Sequence, residues 1–182
     1  MKNNHTWVIC AYGESEFLEA CILSLQAQTL PSKIICYSST PLDSIKQLCQ
    51  KYGIPFYTKE GGGIGKDWNN ALSFVETAYA TIAHQDDYYE PTYLEAVMQK
   101  IEQSKDILIA YTDYFEEKNG VKIPANTNLK IKTLMLKTLN LMPASRFWRN
   151  RVLAFGNPIS CPAVTYNLEA LRDFRFDEEM RV

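Results

Sequence analysis

Two adjacent carboxylates, Asp86 and Asp87, follow a predicted strand, 81–84, and precede Pro91. Neighbouring carboxylates repel each other unless water, hydrogen bonds or a cation neutralise them. Hard cations such as Mg²⁺ and Mn²⁺ bind through one or two protein carboxylates together with phosphate oxygens of a ligand. The pair therefore has two interpretations: a divalent-cation site, or a loop in which one aspartate caps the following helix and the other is solvated.

A glycine-rich segment, residues 61–65, also has a chemical implication, because glycine loops can bind phosphate. It is not a P-loop, since Glu60 stands where that motif has its first glycine and Asp67 where it has a hydroxyl. It is not the dinucleotide fingerprint either, since Lys66 or Trp68 occupies the last glycine position. The segment is interpreted as a flexible loop with one lysine, and a phosphate contact by Lys66 stays open.

Short β-rich runs alternate with helical patterns, which is typical of an α/β fold. Right-handed crossovers then predict a Rossmann-like, doubly wound, mostly parallel sheet with helices on both faces. The predicted strands are 7–12, 33–37, 55–58, 81–84 and 107–111, and the predicted helices are 17–25, 45–52, 68–79, 91–101 and 129–142.

The carboxyl ends of the strands form the ligand-binding edge of such a sheet. Tyr12, Ser38 and the Asp86–Asp87 pair each follow a predicted strand, so we expect them to converge at that edge. Residues 156–162 contain two prolines and are predicted to be loop or edge structure.

The composition excludes several classes of protein. The 182 residues suit one domain, and a net charge of −2 gives no positive field for a nucleic-acid backbone, so no nucleic-acid partner is expected. No apolar run approaches the roughly 18 residues that span a bilayer, and the start lacks a signal-peptide core. The five cysteines, odd in number and set among apolar residues, suit a reduced, cytoplasmic protein.

Several stretches of the sequence, taken in order, resemble glycosyltransferase family 2 over roughly residues 5–115. The family implies a GT-A fold, a nucleotide-diphospho sugar donor, a divalent metal (Mn²⁺ or Mg²⁺) and inversion at the anomeric carbon, and a UDP-sugar is its commonest donor. The stretches are Trp7–Glu14, Ser24-Leu25, Gln28-Thr29, Ile34-Ile35, Trp68–Leu72 and His84–Asp87, and residues 156–162 resemble an acceptor-side loop of some bacterial members.

The resemblance assigns roles to individual positions. Tyr12 is expected to stack on the nucleotide base and Lys66 to supply positive charge near the pyrophosphate, while Asp87 corresponds to the metal-contacting carboxylate. His84 stands where the family commonly has the first aspartate of its motif, and a ligand role and a structural role both stay open. The full donor-side set that the resemblance implies is Ala11, Tyr12, Glu14, Ser38, Lys66, Asn69 and Asp86.

The resemblance also divides the chain into a nucleotide-sugar-binding half, 1–115, and an incomplete acceptor-side part, 116–182, of one domain. The catalytic base of the family usually lies after the acidic run 177–179, so we expect a base beyond Val182 and a chain truncated at its C-terminus. The acceptor is expected to be a saccharide or a lipid-linked compound, in polysaccharide or glycoconjugate synthesis.

A basic region lies in the acceptor-side part and has three interpretations. The lysines of 130–137 and the arginines of 146–151 could contact acceptor phosphates, rest on the inner face of a membrane as a peripheral contact, or be solvated beside a packed helix face.

Two other functions stay open. A non-catalytic sugar-nucleotide-binding module, or an inactive remnant, fits the missing base and the altered aspartate motif. A sugar nucleotidyltransferase also combines a Rossmann-like sheet with metal-binding aspartates, but it needs a glycine-rich basic loop after the first strand, where this chain has Gly13-Glu14-Ser15.

Overall fold

The computed structural model describes residues 4–104, 106–118 and 120–179, and most strands in this part of the chain form one sheet. That sheet has six strands in the order β3-β2-β1-β4-β8-β5, and β6 and β7 form a separate hairpin. The strands are β1 (His5–Cys10), β2 (Lys33–Tyr37), β3 (Phe56–Tyr57), β4 (Tyr79–His84), β5 (Ile109–Tyr111), β6 (Glu117–Lys118), β7 (Val121–Lys122) and β8 (Val164–Asn167).

Helices connect the parallel strands, and their apolar spacing explains which side each one buries. In the first helix Leu18, Cys21, Ile22 and Leu25 recur at helical spacing and are all buried. The helices are α1 (Leu18–Gln26), α2 (Asp43–Lys51), α3 (Ile64–Leu72), α4 (Tyr93–Glu102), α5 (Thr127–Leu141) and α6 (Arg146–Leu153).

β1 lies at the centre of the sheet and shows why helices cover both faces. It pairs in parallel with β2 and with β4. Trp7 and Ile9 point to one face, where they pack with buried residues of α1, α2 and α4. Val8 points to the other face and packs with Ala71 of α3. This arrangement confirms the predicted mostly parallel, Rossmann-like α/β architecture.

His5 is a buried polar residue of β1, and its hydrogen bonds tie neighbouring elements together. Its Nδ1 lies 2.9 Å from the Ser32 hydroxyl and its Nε2 lies 2.9 Å from the Thr81 hydroxyl of β4. The Thr81 hydroxyl in turn lies 2.6 Å from that of Thr165 in β8. Burial lowers the pKa of His5 to about 3, so the imidazole is neutral in the folded protein at neutral pH.

The helix predicted over 68–79 is present, but both of its bounds are wrong. α3 begins at Ile64, directly after Gly63 with its positive φ of 119°, and ends at Leu72, while Tyr79 is the first residue of β4. Phe74 and Val75 follow the helix in turns and pack on the same face of the sheet as Ala71. Their apolar character therefore indicated burial rather than helical continuation.

β8 was not predicted, although the loop before it was. Residues 156–160 are irregular, Cys161–Ala163 forms a short 3₁₀ turn, and β8 then runs antiparallel to β4. The prolines at 158 and 162 are thus confined to the loop and the 3₁₀ turn, where no strand hydrogen bonds are required.

The described residues form two compact units, 4–110 with 165–179, and 111–164. The first contains the parallel strands and the ends of the three central strands. The second contains α5, α6 and the β6–β7 hairpin. The division into parts at residue 115 stays a prediction, and it differs from these units because β8 returns the chain to the first one.

A small core holds the second unit together. Leu136 and Leu139 of α5 are buried with Val152 of α6, and Trp148 packs against them. The Trp148 indole N–H donates to the carbonyl of Thr138 at 2.7 Å. No helix among the described residues has both the length and the apolar character to cross a bilayer.

Candidate functional site

The carboxyl ends of β1, β2 and β4 meet at one edge of the sheet. Cys10, at the end of β1, is paired with Tyr37 of β2 and with His84 of β4. The segments that leave these strands begin at Ala11, Ser38 and Gln85, so parallel pairing brings them side by side. The sequence predicted that these segments converge at one edge, and the parallel register of β1 with β2 and β4 places them there.

A pocket of about 670 Å³ opens at this edge. That volume lies within the range of roughly 300–1,000 Å³ that is usual for small-molecule sites. Ala11, Tyr12 and Asp86, three of the residues assigned to the donor side, line it. The remaining lining residues come from 39–40, from the glycine segment 61–64, and from Cys10, Tyr37, Asp67, Trp68, His84 and Gln85.

Tyr12 presents its ring at the pocket mouth, with 69% of the residue exposed. Its backbone is fixed by Gln85, because the Tyr12 N–H donates to Oε1 at 3.2 Å and Nε2 donates to the Tyr12 carbonyl at 2.8 Å. This reciprocal pair joins the end of β1 to the end of β4. The sequence pattern did not single out Gln85, since a glutamine beside two aspartates carries no distinctive spacing signal.

Ser38 does not reach the pocket, and its neighbours do. Ser38 is fully buried, and its hydroxyl accepts the N–H of Thr40 at 3.1 Å. The Thr40 hydroxyl accepts the N–H of Gly13 at 3.0 Å, which ties this loop to the end of β1. Ser39 and Thr40, rather than Ser38, therefore offer hydroxyl groups to a ligand.

Asp67 adds a carboxylate to the pocket that the sequence pattern did not identify. It accepts the Ser39 hydroxyl at 2.9 Å and the Tyr37 hydroxyl at 3.4 Å. A Cβ on Gly61 would lie 2.5 Å from the Ser39 Cβ and 2.8 Å from Oδ1 of Asp67. Glycine is required at 61 because the chain passes so close to these two side chains.

His84, Asp86 and Asp87 form a cluster in which one ligand atom of each residue lies within 4.8 Å of the others. Nδ1 of His84 is 3.8 Å from Oδ2 of Asp87. Metal–ligand bonds of about 2.1 Å place two ligands of one ion at most about 4.2 Å apart. The cluster therefore fits a single divalent cation after small rotations of these side chains.

The environment of Asp87 also favours a nearby cation. Burial raises the pKa of its carboxyl group above the usual value, the charge of His84 opposes that rise, and Asp86 adds to it. Neither aspartate caps the next helix, since the N-cap of α4 is Thr92, with no side-chain hydrogen bond. The capping interpretation is thereby wrong.

Asn69 contacts the segment 174–179 rather than the pocket. Its Oδ1 accepts the Phe176 N–H at 2.9 Å, and its Nδ2 donates to the Phe176 carbonyl at 2.9 Å and to the Glu178 carboxylate at 3.0 Å. The segment passes so close to α3 that a Cβ on Gly65 would lie 2.1 Å from the Asp177 carbonyl oxygen.

Trp68 lies between this segment and the cluster of His84, Asp86 and Asp87. Its ring lies 5.6 Å from the imidazole of His84 and 4.9 Å, edge to face, from the Phe176 ring. Nε2 of His84 is buried without a hydrogen-bond partner among the described residues. The orientation of His84 is consequently set by packing and by the turn in which the Asp87 N–H donates to its carbonyl at 3.2 Å.

Besides Ser38 and Asn69, two more of the assigned donor-side residues, Glu14 and Lys66, lie outside the pocket lining. Glu14 is exposed beyond Tyr12. The side chain of Lys66 runs beside Gly62, where a Cβ would lie 3.4 Å from Nζ. Because Gly62 lines the pocket, the Lys66 ammonium group is adjacent to it without being part of its wall.

The family model for glycosyl transferase family 2 matches residues 6–160. The chain belongs to glycosyltransferase family 2. The matched residues include the carboxyl ends of β1, β2 and β4 and the cluster of His84, Asp86 and Asp87. The match confirms the resemblance to the family that the sequence motifs indicated.

This family 2 chain is also similar to individual proteins. It is 24% identical over 123 residues to Glycosyltransferase GlyA of Streptococcus pneumoniae, a match that covers 64% of this chain and 18% of GlyA. The crystal structure of S. aureus TarS 1-349 superposes with a TM-score of 0.70 at 19% identity, over 98% of this chain and 51% of that one.

The mannosyltransferase PcManGT from Pyrobaculum calidifontis, in complex with GDP-Man and Mn²⁺, has a TM-score of 0.64 at 12% identity, over 97% of this chain and 48% of that one. These likenesses establish the GT-A fold. The family 2 chain thus spans about half the length of these two solved structures and less than a fifth of GlyA.

Proposed function

We propose that the protein is a glycosyltransferase that moves a sugar from a nucleotide-diphospho sugar, a UDP-sugar, to an acceptor hydroxyl by metal-assisted, inverting displacement. The observation that carries this proposal is the His84, Asp86 and Asp87 cluster beside a pocket at the carboxyl edge of the sheet. Ligands of such open α/β sheets bind at that edge.

Structural relatives support a nucleotide-sugar donor. TarS 1-349 has been crystallised with UDP and with UDP-GlcNAc, and these structures superpose on this chain with TM-scores of 0.67 and 0.62. PcManGT was solved with GDP-Man and Mn²⁺. Both uridine and guanosine donors therefore occur on this fold.

The donor would lie across the pocket with its base at Tyr12. The exposed ring offers a flat face for stacking, and the hydroxyls of Ser39 and Thr40 offer hydrogen bonds to the ribose or the base. Asp86 would contact the ribose or the sugar. Lys66, adjacent to Gly62, would turn toward the diphosphate.

Asp87, with Asp86 and His84 beside it, would hold Mn²⁺ or Mg²⁺. A bound divalent cation neutralises charge that builds on a departing diphosphate, which lowers the barrier to displacement. Carboxylate oxygens are suitable ligands for both ions. The raised pKa of Asp87 is consistent with a carboxylate whose charge needs such a partner.

Inverting displacement requires a base on the acceptor side of the anomeric carbon, within hydrogen-bond reach of the attacking hydroxyl. We assign no described residue to that role. The acceptor would be a saccharide or a lipid-linked compound.

Calorimetric titration of UDP into the chain tests donor binding. We expect binding with Mn²⁺ present and roughly tenfold weaker binding after Asp87→Asn, a difference of about 1.4 kcal/mol that EDTA removes. Asp173→Asn is the matched control, because Asp173 is exposed and belongs neither to the pocket lining nor to the cluster that contains Asp87. Equal UDP affinity in wild type and Asp87→Asn, in Mn²⁺, would refute the assigned metal role.

Turnover separates an enzyme from a binding module. The assay measures release of UDP or GDP from UDP-Glc, UDP-Gal, UDP-GlcNAc and GDP-Man, with and without simple saccharide acceptors. Release that depends on Asp87 supports a transferase. Tight donor binding without release from any of the four donors favours the non-catalytic module.

A further inference from the structure

The solvent-facing side of α5 is apolar as well as basic. Its buried side holds Leu129, Leu136 and Leu139, as expected for a helix packed on a core. An amphipathic surface helix normally carries polar residues on the opposite side. Here the opposite side is a single stripe at helical spacing in which lysine and leucine alternate: Lys130, Leu134, Lys137 and Leu141.

Both leucines of the stripe are well exposed, Leu134 at 63% and Leu141 at 72%. The same character continues into α6 and the residues after it, where Phe147 is exposed and Phe155 reaches 89% exposure. We call the exposed apolar and basic side chains of 130–155 the basic apolar surface. Exposed apolar groups in this number mark an interaction site rather than a solvated face.

The sequence around this surface is strongly basic. Between Glu117 and Glu169 the sequence has no aspartate or glutamate and eight lysines and arginines. That segment therefore carries a charge of +8, while the remainder of the chain carries −10. The overall charge of −2 hides this asymmetry.

Most of the cations on the basic apolar surface form no salt bridge with a carboxylate of the described residues. Among the described residues, no salt bridge involves Lys130, Lys137 or Arg146. Arg151 lies over the Phe147 ring, 5.2 Å from its centroid, which keeps a cation and an aromatic ring together at the surface.

We propose that the basic apolar surface binds the face of an anionic lipid bilayer, with α5 lying in the interface plane. Leu134, Leu141 and Phe155 enter the acyl boundary, and Lys130 and Lys137 reach lipid phosphates beside them. Interleaved cations and large apolar groups match an interface that is charged outside and apolar beneath. At 15 residues α5 is too short to span a bilayer, which takes about 20.

This surface lies entirely within unit 111–164, and its role is independent of the proposed donor chemistry. Failure of lipid binding would leave nucleotide binding intact, and the reverse also holds. The two proposals are therefore tested by separate experiments.

Vesicle flotation tests the inference. The chain is mixed with POPC vesicles or with POPC/POPG (7:3) vesicles at 100 mM NaCl, and the bound fraction is measured. We expect flotation only with POPG. Lys130→Gln with Lys137→Gln should weaken partition about 25-fold, since each lysine near an anionic surface contributes a factor of about five.

A second variant isolates the apolar contribution. Leu134→Ser with Leu141→Ser should weaken partition about 100-fold, since each buried leucine side chain contributes a factor of at least about ten. Both pairs of substitutions lie on exposed positions, so thermal unfolding should be unchanged. The matched controls on the other unit are Lys33→Gln with Lys100→Gln, and Leu23→Ser with Leu108→Ser, and they should bind vesicles like the wild type.

Three results would overturn the proposal. They are absence of flotation with POPG, equal flotation with POPC alone, and unchanged partition of the lysine variant. Sedimentation velocity adds a fourth: self-association that Leu134→Ser abolishes would show that a second copy of the chain, rather than lipid, covers this surface.

Discussion

Gly65→Ala should detach the segment 174–179 from α3. A Cβ at this position would lie 2.1 Å from the Asp177 carbonyl oxygen and 2.9 Å from its carbonyl carbon. Both neighbours are backbone atoms, so a side-chain rotation cannot relieve the overlap. The segment must move, and it then loses the three hydrogen bonds that Asn69 makes with Phe176 and Glu178.

The size of the effect follows from these contacts. A net contribution of about 1 kcal/mol per hydrogen bond gives a loss of about 3 kcal/mol. Replacing glycine by alanine in a helix returns about 1 kcal/mol. The free energy of unfolding should therefore fall by about 2 kcal/mol, which lowers Tm by roughly 4–8 °C for a chain of this length.

Urea unfolding followed by tryptophan fluorescence measures this change, since Trp68 lies against Phe176. Gly62→Ala is the matched control, because its Cβ would meet only the flexible end of Lys66. Asn69→Ala should cost much less in the Gly65→Ala background than in the wild type. A Gly65→Ala protein as stable as the wild type would refute the close approach of the segment to α3.

Three further changes test the fold and the pocket. Between pH 7 and pH 4 the unfolded chain protonates His5 and the folded protein does not, because its pKa is lowered to about 3; the wild type should lose about 3 kcal/mol of stability through this group. His5→Asn should lack that loss in urea unfolding at the two pH values, and an unchanged loss would contradict the neutral imidazole. Gln85→Ala removes both hydrogen bonds to the Tyr12 backbone and should weaken UDP binding several-fold in calorimetry. An unchanged UDP affinity would contradict a role for Gln85 in positioning Tyr12. Gly61→Ala should weaken UDP binding about tenfold, because its Cβ would overlap Ser39, whereas a wild-type affinity would show that this loop can shift freely.

The strand ends could be predicted from the sequence because buried strands and helix-sized connections leave strong patterns. Parallel pairing of β1 with β2 and β4 then requires that Tyr12 and Asp86 follow neighbouring strands at one edge. The sequence could not show that Thr40 rather than Ser38 lines the pocket. This depends on the loop conformation, in which the Ser38 hydroxyl is buried and accepts the Thr40 N–H.

Contacts between segments that lie far apart in the sequence could not be predicted. Asn69 and Phe176 lie 107 positions apart, and no local spacing indicates that they meet. The end of α3 was missed because Val75 and Tyr79 are apolar for other reasons, one packing on the sheet and the other starting β4. Asp67 gave no signal because its role depends on Ser39 folding back beside it.

In the proposed function Asp87 and its neighbours hold a divalent cation beside the diphosphate of the donor. Crystals soaked with UDP and MnCl₂, measured for anomalous scattering from manganese, test it most directly. We expect an anomalous peak within about 2.5 Å of an Asp87 carboxylate oxygen and of a diphosphate oxygen. UDP bound in the pocket with no manganese at Asp87 would contradict it.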